Sequence, residues 1–440
     1  MKLLNTFANK KKLKILKADH IYLYDYKKIK YTDLTGGYTG HAILGWNNQK
    51  VIKAINNQAK KFCHIDYKIF DDPNREKLAN ILLQNKKNKL NKVFFVGSSG
   101  AEACEVAMKM SYQYFYEKGQ KSKKFFISRK QSYHGCTTHS LSLGDRPNLS
   151  FYNKILSKNC FKIPEHNFLR HSKKNETEKE YTYRSVKYLE NEIIRLGPQN
   201  VCAFVAETIG GGLVGDVPPT VDYWKKIRSI CNKYNIHLIL DEVWCGTGVS
   251  GKTFCFDWDL ITPDFVFISK TLAAGYGALS AVITTDKIGN NISNKSGQIF
   301  YSNTHQGYSL SVAAALKVQE IIQNKDFLRR VNDKGVHLRK TIKEELKNHE
   351  FFRDVRGRGL RNSFEYRCEN DNLFGKHLKA EMFKKKILID AKWHRVCFPL
   401  SLKISHKELN NNLEIFFHIF KETAKKWPKL KKRKIEELFF

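Results

Sequence analysis

The chain has 440 residues, 42% of them hydrophobic and 27% charged, which is ordinary for a globular protein large enough to divide into two lobes. Its formal net charge is +34, but the lysines are spread along the whole chain, so the charge does not indicate a dedicated nucleic-acid-binding protein. There is no apolar run of the roughly 18 residues needed to cross a membrane, and the lysine-rich start is not predicted to be a secretory signal. The ten cysteines lack zinc-ligand spacing and are expected to be reduced thiols, so we expect a cytoplasmic protein with no metal.

The first 75 residues are predicted to form an N-terminal segment that contributes to the smaller of two domains. This segment contains a glycine loop, TGGYTGHAILGWNN, followed by a helix from about Gln49 to Lys60. From residue 76 to 325, short apolar runs alternate with helical patterns, which is typical of βαβ units and a mostly parallel sheet in a large domain. The predicted strands are Val93–Val96, Lys124–Ile127, Val201–Ala206, His237–Leu240, Phe265–Ile268 and Ser280–Thr284.

Two helices are predicted between these strands, because apolar residues recur there with a spacing near 3.6. One helix is expected over Ala101 to Lys118 and the other over Val221 to Tyr234. Thr220 precedes the second helix and is predicted to cap it.

The pattern changes after about residue 325 to charged helices and short strands, which predicts a smaller α+β domain over residues 326–425. Its expected elements are helices Phe327–Asn348 and Lys407–Ala424 and a strand reading GRGLRNSFEY. Residues 426–440 are predicted to form a basic tail, either a solvated helix or a frayed end. Contact of this tail with RNA or an anionic surface is the alternative.

The most informative stretch joins two apolar runs, each of which ends in a single charged residue. The first run ends at Asp241 and the second, PDFVFIS, ends at Lys270. Residues just beyond the carboxyl ends of parallel strands line the ligand crevice of an open α/β sheet. Pyridoxal phosphate needs both an amine for its aldehyde and an anion for its ring nitrogen. The pair therefore indicates a site for this cofactor.

Three other junctions between strands and the segments after them carry candidate residues. Gly97 to Gly100 turn the chain into a helix whose first amides can bind a phosphate. Tyr133 follows a strand and can stack on a flat ring, although packing within the loop is the alternative. Glu207 ends a strand before three glycines, where a carboxylate would face the crevice.

Taken together, these residues resemble the class III pyridoxal-phosphate aminotransferases, from about Leu34 to Glu422. The family's long central signature is matched by LILDEVWCGTG and PDFVFISKTLAAGYGALSAV. Further matches are SSGAEACEVAMK, QSYHGCTTHSLSLG, THQGYSLSVAAAL, VRGRGL and RVCFPL. The resemblance implies an α/β protein of the pyridoxal-phosphate transferase fold type I, with a mostly parallel seven-stranded sheet and a smaller α+β domain. It also implies a homodimer with each site built across the interface.

The resemblance also implies a role for each matched residue. Lys270 would be the Schiff-base lysine and Asp241 the partner of the ring nitrogen. The remaining cofactor-binding residues would be Ser99, Gly100, Ala101, Tyr133, Glu207 and Thr304, with Thr304 reaching the phosphate of the neighbouring subunit. Arg395 would bind a substrate carboxylate.

Some positions depart from the family pattern. Val249 and Ser250 stand where the family has Arg-Thr, and Ser309 stands in place of a proline. Gly212 lies where ornithine- and GABA-type members have a glutamate that gates 2-oxoglutarate, so the glycine points to the branch that uses pyruvate with ω-amino acids or amines.

The predicted activity is a ping-pong transfer of an amino group from an amino acid or amine to a keto acid such as pyruvate or 2-oxoglutarate. An aminomutase or decarboxylase on the same fold is the enzymatic alternative. A non-catalytic, basic nucleic-acid-binding protein is the alternative from another class. The intact pair of Asp241 and Lys270 argues against it, because a chain freed from catalysis has no reason to keep both.

Overall fold

The computed structural model describes residues 12–146 and 149–431. The α-helices are α1 (Gln49–Ala59), α2 (Pro73–Leu82), α3 (Gly100–Glu117), α4 (Thr138–Leu143), α5 (Phe168–His171), α6 (Glu178–Leu196), α7 (Tyr223–Lys233), α8 (Asp286–Asn294), α9 (Ser309–Ile322), α10 (Lys325–Leu346), α11 (Asp371–Lys384) and α12 (His406–Leu430). The strands are β1 (Ile15–Asp19), β2 (Tyr22–Asp25), β3 (Lys30–Asp33), β4 (Lys92–Phe95), β5 (Phe125–Arg129), β6 (Cys160–Ile163), β7 (Val201–Glu207), β8 (His237–Asp241), β9 (Phe265–Ile268), β10 (Ala281–Thr284), β11 (Phe352–Arg358), β12 (Arg361–Tyr366), β13 (Ile387–Leu388), β14 (Asp390–Lys392) and β15 (Arg395–Cys397).

The chain divides into two compact units. The larger runs from Lys50 to Val331, and the smaller combines the residues up to Gln49 with those from Asn332 onward. The sequence had placed these boundaries after residues 75 and 325. The structure assigns most of α1, and all of α2, to the larger unit.

A seven-stranded sheet forms the centre of the larger unit, in the order β4-β10-β9-β8-β7-β5-β6. Strands β9, β8, β7, β5 and β6 run parallel, whereas β10 is antiparallel to both of its neighbours. The prediction of a mostly parallel seven-stranded sheet is therefore confirmed. The six predicted strands are present to within two residues at each end, and β6 was not predicted.

Helices cover both faces of this sheet. Every residue of β7 and of β8 is buried, because alternate side chains of these strands enter the apolar clusters on opposite faces. One cluster includes the buried side of α3 and the other includes side chains of α6, α7 and α9. The predicted apolar positions of α7, among them Trp224, Ile227 and Cys231, are buried as expected.

The predicted cap of α7 is wrong. The helix begins at Tyr223, and the residue before it, Asp222, has φ +60 and makes no side-chain cap. The hydroxyl of Thr220 instead contacts the Oγ1 of Thr182 at 2.6 Å and the Nε2 of His166 at 3.0 Å. The carbonyl of Thr220 accepts from the N–H of Tyr223 at 3.2 Å, but the Thr220 side chain is engaged by these buried partners and does not cap the helix.

The smaller unit contains two four-stranded sheets, β1-β2-β3-β13 and β11-β12-β15-β14. The predicted GRGLRNSFEY strand is a hairpin, because the chain turns at Gly359 (φ +54) between β11 and β12. Helix α12 extends past the predicted end at Ala424, and buried Trp427 packs on Phe374 within the segment predicted as a basic tail. Residues 432–440 of that tail lie outside the described residues. Among the helices that are described, none has the length and apolar character that crossing a bilayer requires.

Candidate active site

Three neighbouring strands of the central sheet end at one edge with the residues singled out in the sequence. Glu207, the last residue of β7, pairs in register with Asp241, the last residue of β8. Asp241 pairs in turn with Phe267 on β9, and Lys270 follows three residues later. Because these strands are parallel, the structure brings the two carboxylates and the lysine to the same edge.

Asp241 is almost fully buried and accepts two hydrogen bonds. The Nδ1–H of His134 donates to its Oδ2 at 2.8 Å, and the backbone N–H of Val243 donates to its Oδ1 at 3.0 Å. The His134 side chain has no exposed surface, and its Nε2 has no hydrogen-bond partner among the described residues. A buried carboxylate with a charge-assisted partner is a suitable anion for a cationic ring nitrogen.

Glu207 is buried beside this pair, and the pKa of its carboxyl is raised to about 7, chiefly by burial. Like charge on Asp241 contributes to this rise, whereas His134 and Arg129 oppose it. The backbone carbonyl of Glu207 accepts a hydrogen bond from the guanidinium of Arg129. Near neutral pH, the Glu207 carboxyl beside Asp241 therefore changes between its protonated and its charged form.

Lys270 lies in a left-handed backbone conformation with φ +44. Such a conformation costs a non-glycine residue about 1 to 3 kcal/mol, so its surroundings must hold it. The buried amide of Gln319 donates to the carbonyls of Thr271 at 3.0 Å and Leu272 at 2.9 Å, which fixes the turn after the lysine. The Nζ of Lys270 lies 4.8 Å from the centre of the Trp244 ring.

Helix α3 begins at the end of β4 with the residues predicted to bind phosphate. Ser99 is its N-cap and forms a capping box with Glu102, so the Ser99 side chain is engaged in holding the helix start. The amides of Gly100 and Ala101 belong to the first turn, where N–H groups have no carbonyl within the helix to bond. A Cβ on Gly100 would lie 2.7 Å from Cγ2 of Val243, two residues beyond Asp241. The helix start therefore lies close to the end of β8, where its free amides and dipole favour an anion.

Tyr133 lies in the loop after β5, immediately before His134. Its ring is 37% exposed, and burial of the remainder raises the pKa of its hydroxyl. The guanidinium carbon of Arg146 lies 4.7 Å from the ring centre. Gly135 follows with φ +147, and a Cβ there would lie 2.6 Å from the Cβ of Ala101. Gly135 therefore holds the tyrosine loop against the start of α3.

Thr304 and Gly212 lie on exposed loops of the larger unit. The carbonyl oxygen of Thr304 is 2.6 Å from the Nε2 of His64. Gly212 lies in the loop after β7, and a Cβ added to it would meet no atom within 4 Å.

Arg395 belongs to the smaller unit and is 2% exposed. It begins β15, and its guanidinium carbon lies 4.6 Å from the centre of the Trp393 ring. Its Nε and Nη1 have no hydrogen-bond partner among the described residues. A buried guanidinium with unsatisfied donors is suited to a carboxylate.

Two residues of the larger unit were missed as candidates from the sequence. The sequence predicts no role for His134, although it provides the side-chain partner of Asp241. It also predicts none for Trp244, which lies within the central signature. Its nearness to Lys270 depends on the fold, because the loop between β8 and β9 must return to the sheet edge.

The residues of the larger unit fit pyridoxal phosphate. They combine a lysine amine, a buried carboxylate, an aromatic ring and a helix start, which are the groups that this cofactor needs for its aldehyde, ring nitrogen, ring face and phosphate. The buried, unpartnered Nε2 of His134 adds a polar atom at the same place.

Among the described residues, a second cluster of Glu242, Cys245 and Cys255 has metal-ligand atoms close together. Glu242 already accepts hydrogen bonds from the backbone N–H groups of Cys255 at 2.7 Å and Phe256 at 2.9 Å.

Comparison with known proteins agrees with this chemistry. The family model described as aminotransferase class-III matches residues 6–420. An uncharacterized aminotransferase of Schizosaccharomyces pombe is 33% identical over 81% of this chain and 77% of its own length. Gamma aminobutyrate transaminase 2 of Solanum lycopersicum is 30% identical over 96% of this chain and 94% of its own length. The ω transaminase of Pseudomonas jessenii, solved in complex with PMP, has a TM-score of 0.89 and 26% identity over 94% of this chain and 93% of its own. The chain therefore belongs to the class III aminotransferases, and it is an enzyme that transfers amino groups with pyridoxal 5'-phosphate as its cofactor.

Proposed function

We propose that this aminotransferase takes its amino group from an ω-amino acid or a primary amine and passes it to a small keto acid, pyruvate in preference to 2-oxoglutarate. The observation that carries the acceptor choice is Gly212, an exposed glycine whose missing side chain would meet only open space. The relatives support the donor class, since one is named a gamma aminobutyrate transaminase and another an ω transaminase.

The larger unit supplies the residues that would hold the cofactor. The amides of Gly100 and Ala101 would bind the phosphate, Tyr133 would cover the ring face, and Asp241 would hold a proton on the ring nitrogen. Bound in this way, pyridoxal phosphate supplies a ring that accepts electrons. The Nζ of Lys270 would take the proton from the substrate carbon and return it to the cofactor carbon, as base and then as acid.

Two buried neighbours would support Asp241 in this role. His134 fixes the carboxylate through the 2.8 Å hydrogen bond to Oδ2. Glu207, with its pKa raised to about 7, is able to carry a proton beside it, which would leave Asp241 as the anion of the pair. Ser99 would contribute indirectly, because its capping box fixes the direction of the amides at the start of α3.

Arg395 would bind the carboxylate of a keto-acid acceptor or of an amino-acid donor. Its guanidinium is buried, and its Nε and Nη1 lack hydrogen-bond partners among the residues described. Unsatisfied N–H donors on a buried and permanently charged guanidinium favour an anionic acceptor such as a carboxylate. If the donor is an amine without a carboxylate, Arg395 would bind only the keto acid, in the second half of the reaction.

A homodimer is part of this proposal, with Thr304 reaching the phosphate in the neighbouring subunit. The supporting observation is an apolar surface beside Thr304, formed by Ile69, Phe70 and Phe300, which are each more than half exposed. The two segments that carry them are joined by the hydrogen bond from Lys68 Nζ to Ser302 Oγ, 2.6 Å long. Exposed apolar side chains of this size are typical of a protein interface.

The interface is tested by Phe70→Glu, with Val221→Glu as the control, because Val221 is an exposed apolar residue just before α7. Light scattering after gel filtration is expected to give a dimer for the wild-type protein and for Val221→Glu, and a monomer for Phe70→Glu. A wild-type monomer would contradict the proposal.

The cytoplasm is the proposed compartment, and the ten free cysteines support it.

The substrate proposal is tested by measuring product formation with a panel of donors against pyruvate and 2-oxoglutarate. We expect turnover with ω-amino acids or primary amines and at least a tenfold higher kcat/KM for pyruvate. Gly212→Glu should move the acceptor ratio towards 2-oxoglutarate, whereas Gly212→Ala, which adds only a Cβ, should not. A wild-type preference for 2-oxoglutarate would contradict the acceptor choice. Turnover of a donor without any keto acid would favour the aminomutase or decarboxylase alternative.

A further inference from the structure

A tryptophan stands between the proposed catalytic lysine and a buried carboxylate. The centre of the Trp244 ring lies 4.8 Å from Lys270 Nζ, within the range of a cation–π contact. The indole N–H of Trp244 donates to Oδ1 of Asp216 at 2.6 Å. Asp216 has no exposed surface, so the carboxylate that holds the indole is itself fixed inside the protein.

The loop that carries Asp216 is built to hold this position. Gly210 and Val217 form an isolated antiparallel bridge, with two backbone hydrogen bonds of 2.9 and 3.0 Å. Asp216 precedes the bridge with φ +49, a left-handed conformation that costs energy at a non-glycine residue. A Cβ at Gly211 would lie 3.8 Å from Cδ1 of Trp244, so the same loop also packs on the indole. The loop therefore fixes the orientation of the Trp244 ring in two ways, through the hydrogen bond to Asp216 and through packing near Gly211.

We propose that Trp244 is a positioning residue for Lys270, whose amine it stabilises in the cationic form, and that Asp216 sets the orientation of the ring. The face of an indole attracts a cation, and the attraction is strongest where water is excluded. Trp244 is partly buried, so it also shields one side of the amine from solvent. This inference rests on the proposed role of Lys270 and adds a residue that favours the protonated form of its amine.

Other titratable groups lie at this end of the sheet. Asp241 ends β8, Glu207 ends β7, His134 follows β5, and Asp216 lies behind the indole. A variant that changes only residue 244 leaves Asp241, Glu207 and His134 in place but removes the indole N–H from Asp216. Trp244→Leu and Trp244→Phe both lack that N–H, so the difference between their midpoints isolates the effect of the ring face.

The chain offers a matched control in Trp258. The Nζ of Lys252 lies 4.8 Å from the centre of the Trp258 ring, and the indole N–H of Trp258 donates to the carbonyl of Ser250 at 2.9 Å. The distance from the lysine Nζ to the ring centre equals that at Trp244, but Trp258 is 40% exposed and its indole binds a backbone carbonyl instead of a carboxylate. Replacing it should remove a similar contact without touching Lys270.

The test is the pH midpoint of the visible absorption band in the cofactor-loaded enzyme, which reports the protonation of the nitrogen that Lys270 provides. Trp244→Leu keeps an apolar side chain and removes the ring face, so we expect its midpoint to fall by about 0.5 to 1 pH unit. Trp258→Leu should leave the midpoint unchanged. Asp216→Ala should produce part of the shift, and Asp216→Asn, whose carbonyl still accepts from the indole, should shift the midpoint less than Asp216→Ala does.

Three results would overturn the inference. A Trp244→Leu midpoint within 0.2 pH units of the wild-type value would show that the ring does not act on the lysine, and so would a shift of equal size in Trp258→Leu. Trp244→Phe serves if the leucine variant does not fold, because it keeps a weaker ring face and should shift the midpoint by less than half as much. A wild-type protein without a visible band after addition of pyridoxal phosphate would refute the role of Lys270, and this inference with it. A wild-type band with an unshifted Trp244→Leu midpoint would refute the inference alone.

Discussion

Glu207→Gln is the change that tests the electrostatics of the site most directly. Glutamine has the shape of a protonated glutamate but never ionises, so the variant removes one titration and little else. Glu207 is buried next to Asp241, His134 and Arg129, and its pKa is raised to about 7. Its proton should therefore leave at neutral pH, within the range in which the enzyme can be handled.

The magnitude follows from the shift. A carboxyl whose pKa rises from 4.5 to about 7 on folding disfavours its charged form by about 3 kcal/mol. The folded state then binds more protons than the unfolded state between those two values, so stability is highest below pH 4.5 and falls until about pH 7. Above that pH the full cost of burying the charge is present. At pH 5 the variant should be more stable than the wild-type protein by no more than about 1 kcal/mol, and at pH 8 by about 3 kcal/mol.

Infrared spectroscopy of the protein without cofactor follows the protonated carboxyl band of Glu207 directly. In the wild-type protein a component of this band should disappear with a midpoint near pH 7. That component should be missing from Glu207→Gln and present in Glu344→Gln, in which a surface carboxylate is replaced. Thermal unfolding at pH 5 and pH 8 gives the stability difference. A difference between variant and wild type that does not change with pH would refute the reasoning.

Three further changes have defined outcomes. His134→Leu removes a hydrogen bond to the buried carboxylate of Asp241 and should cost about 2 kcal/mol in urea unfolding, whereas His134→Asn, which can still donate, should cost less than half of that. Lys123→Met leaves three carbonyl acceptors, which lie 2.8 to 3.1 Å from Nζ, without their donor. It should lower the urea midpoint by the equivalent of about 3 kcal/mol or more. Gly100→Ala places a methyl group 2.7 Å from Val243 and should weaken pyridoxal phosphate binding at least tenfold in equilibrium dialysis, whereas Gly212→Ala should not.

The strands of the central sheet could be predicted because a strand that is buried on both faces has a continuous run of apolar residues. Val201 to Glu207 is such a run, and every residue in it is buried. Strand β6 was missed because it lies at the edge of the sheet and reads CFKI, with a lysine among only three apolar residues. The hairpin at Gly359 was taken for one strand, because its glycines did not identify which residue turns the chain.

The strand-end residues could also be predicted, since parallel strands deliver their last residues to the same edge. The contacts that tune these residues could not. His134 is 107 positions from Asp241, and Asp216 is 28 positions from Trp244, so neither pair has a local pattern. The left-handed conformation of Lys270 is similarly a product of tertiary contacts, because no glycine marks it.

The two carboxylates at the sheet edge would repel each other if both were charged, and their surroundings determine how this repulsion is avoided. Glu207 and Asp241 pair in register on adjacent strands, whose backbones lie about 4.8 Å apart, so two charges there would repel in a region that excludes water. Asp241 accepts hydrogen bonds from His134 and from the backbone of Val243. Burial raises the pKa of Glu207 although the backbone amide of Gly211 opposes the rise, and the resulting pKa of about 7 lets Glu207 hold a proton close to neutral pH. Glu207 thus lets the protein place one full negative charge at the end of β8 without placing a second beside it.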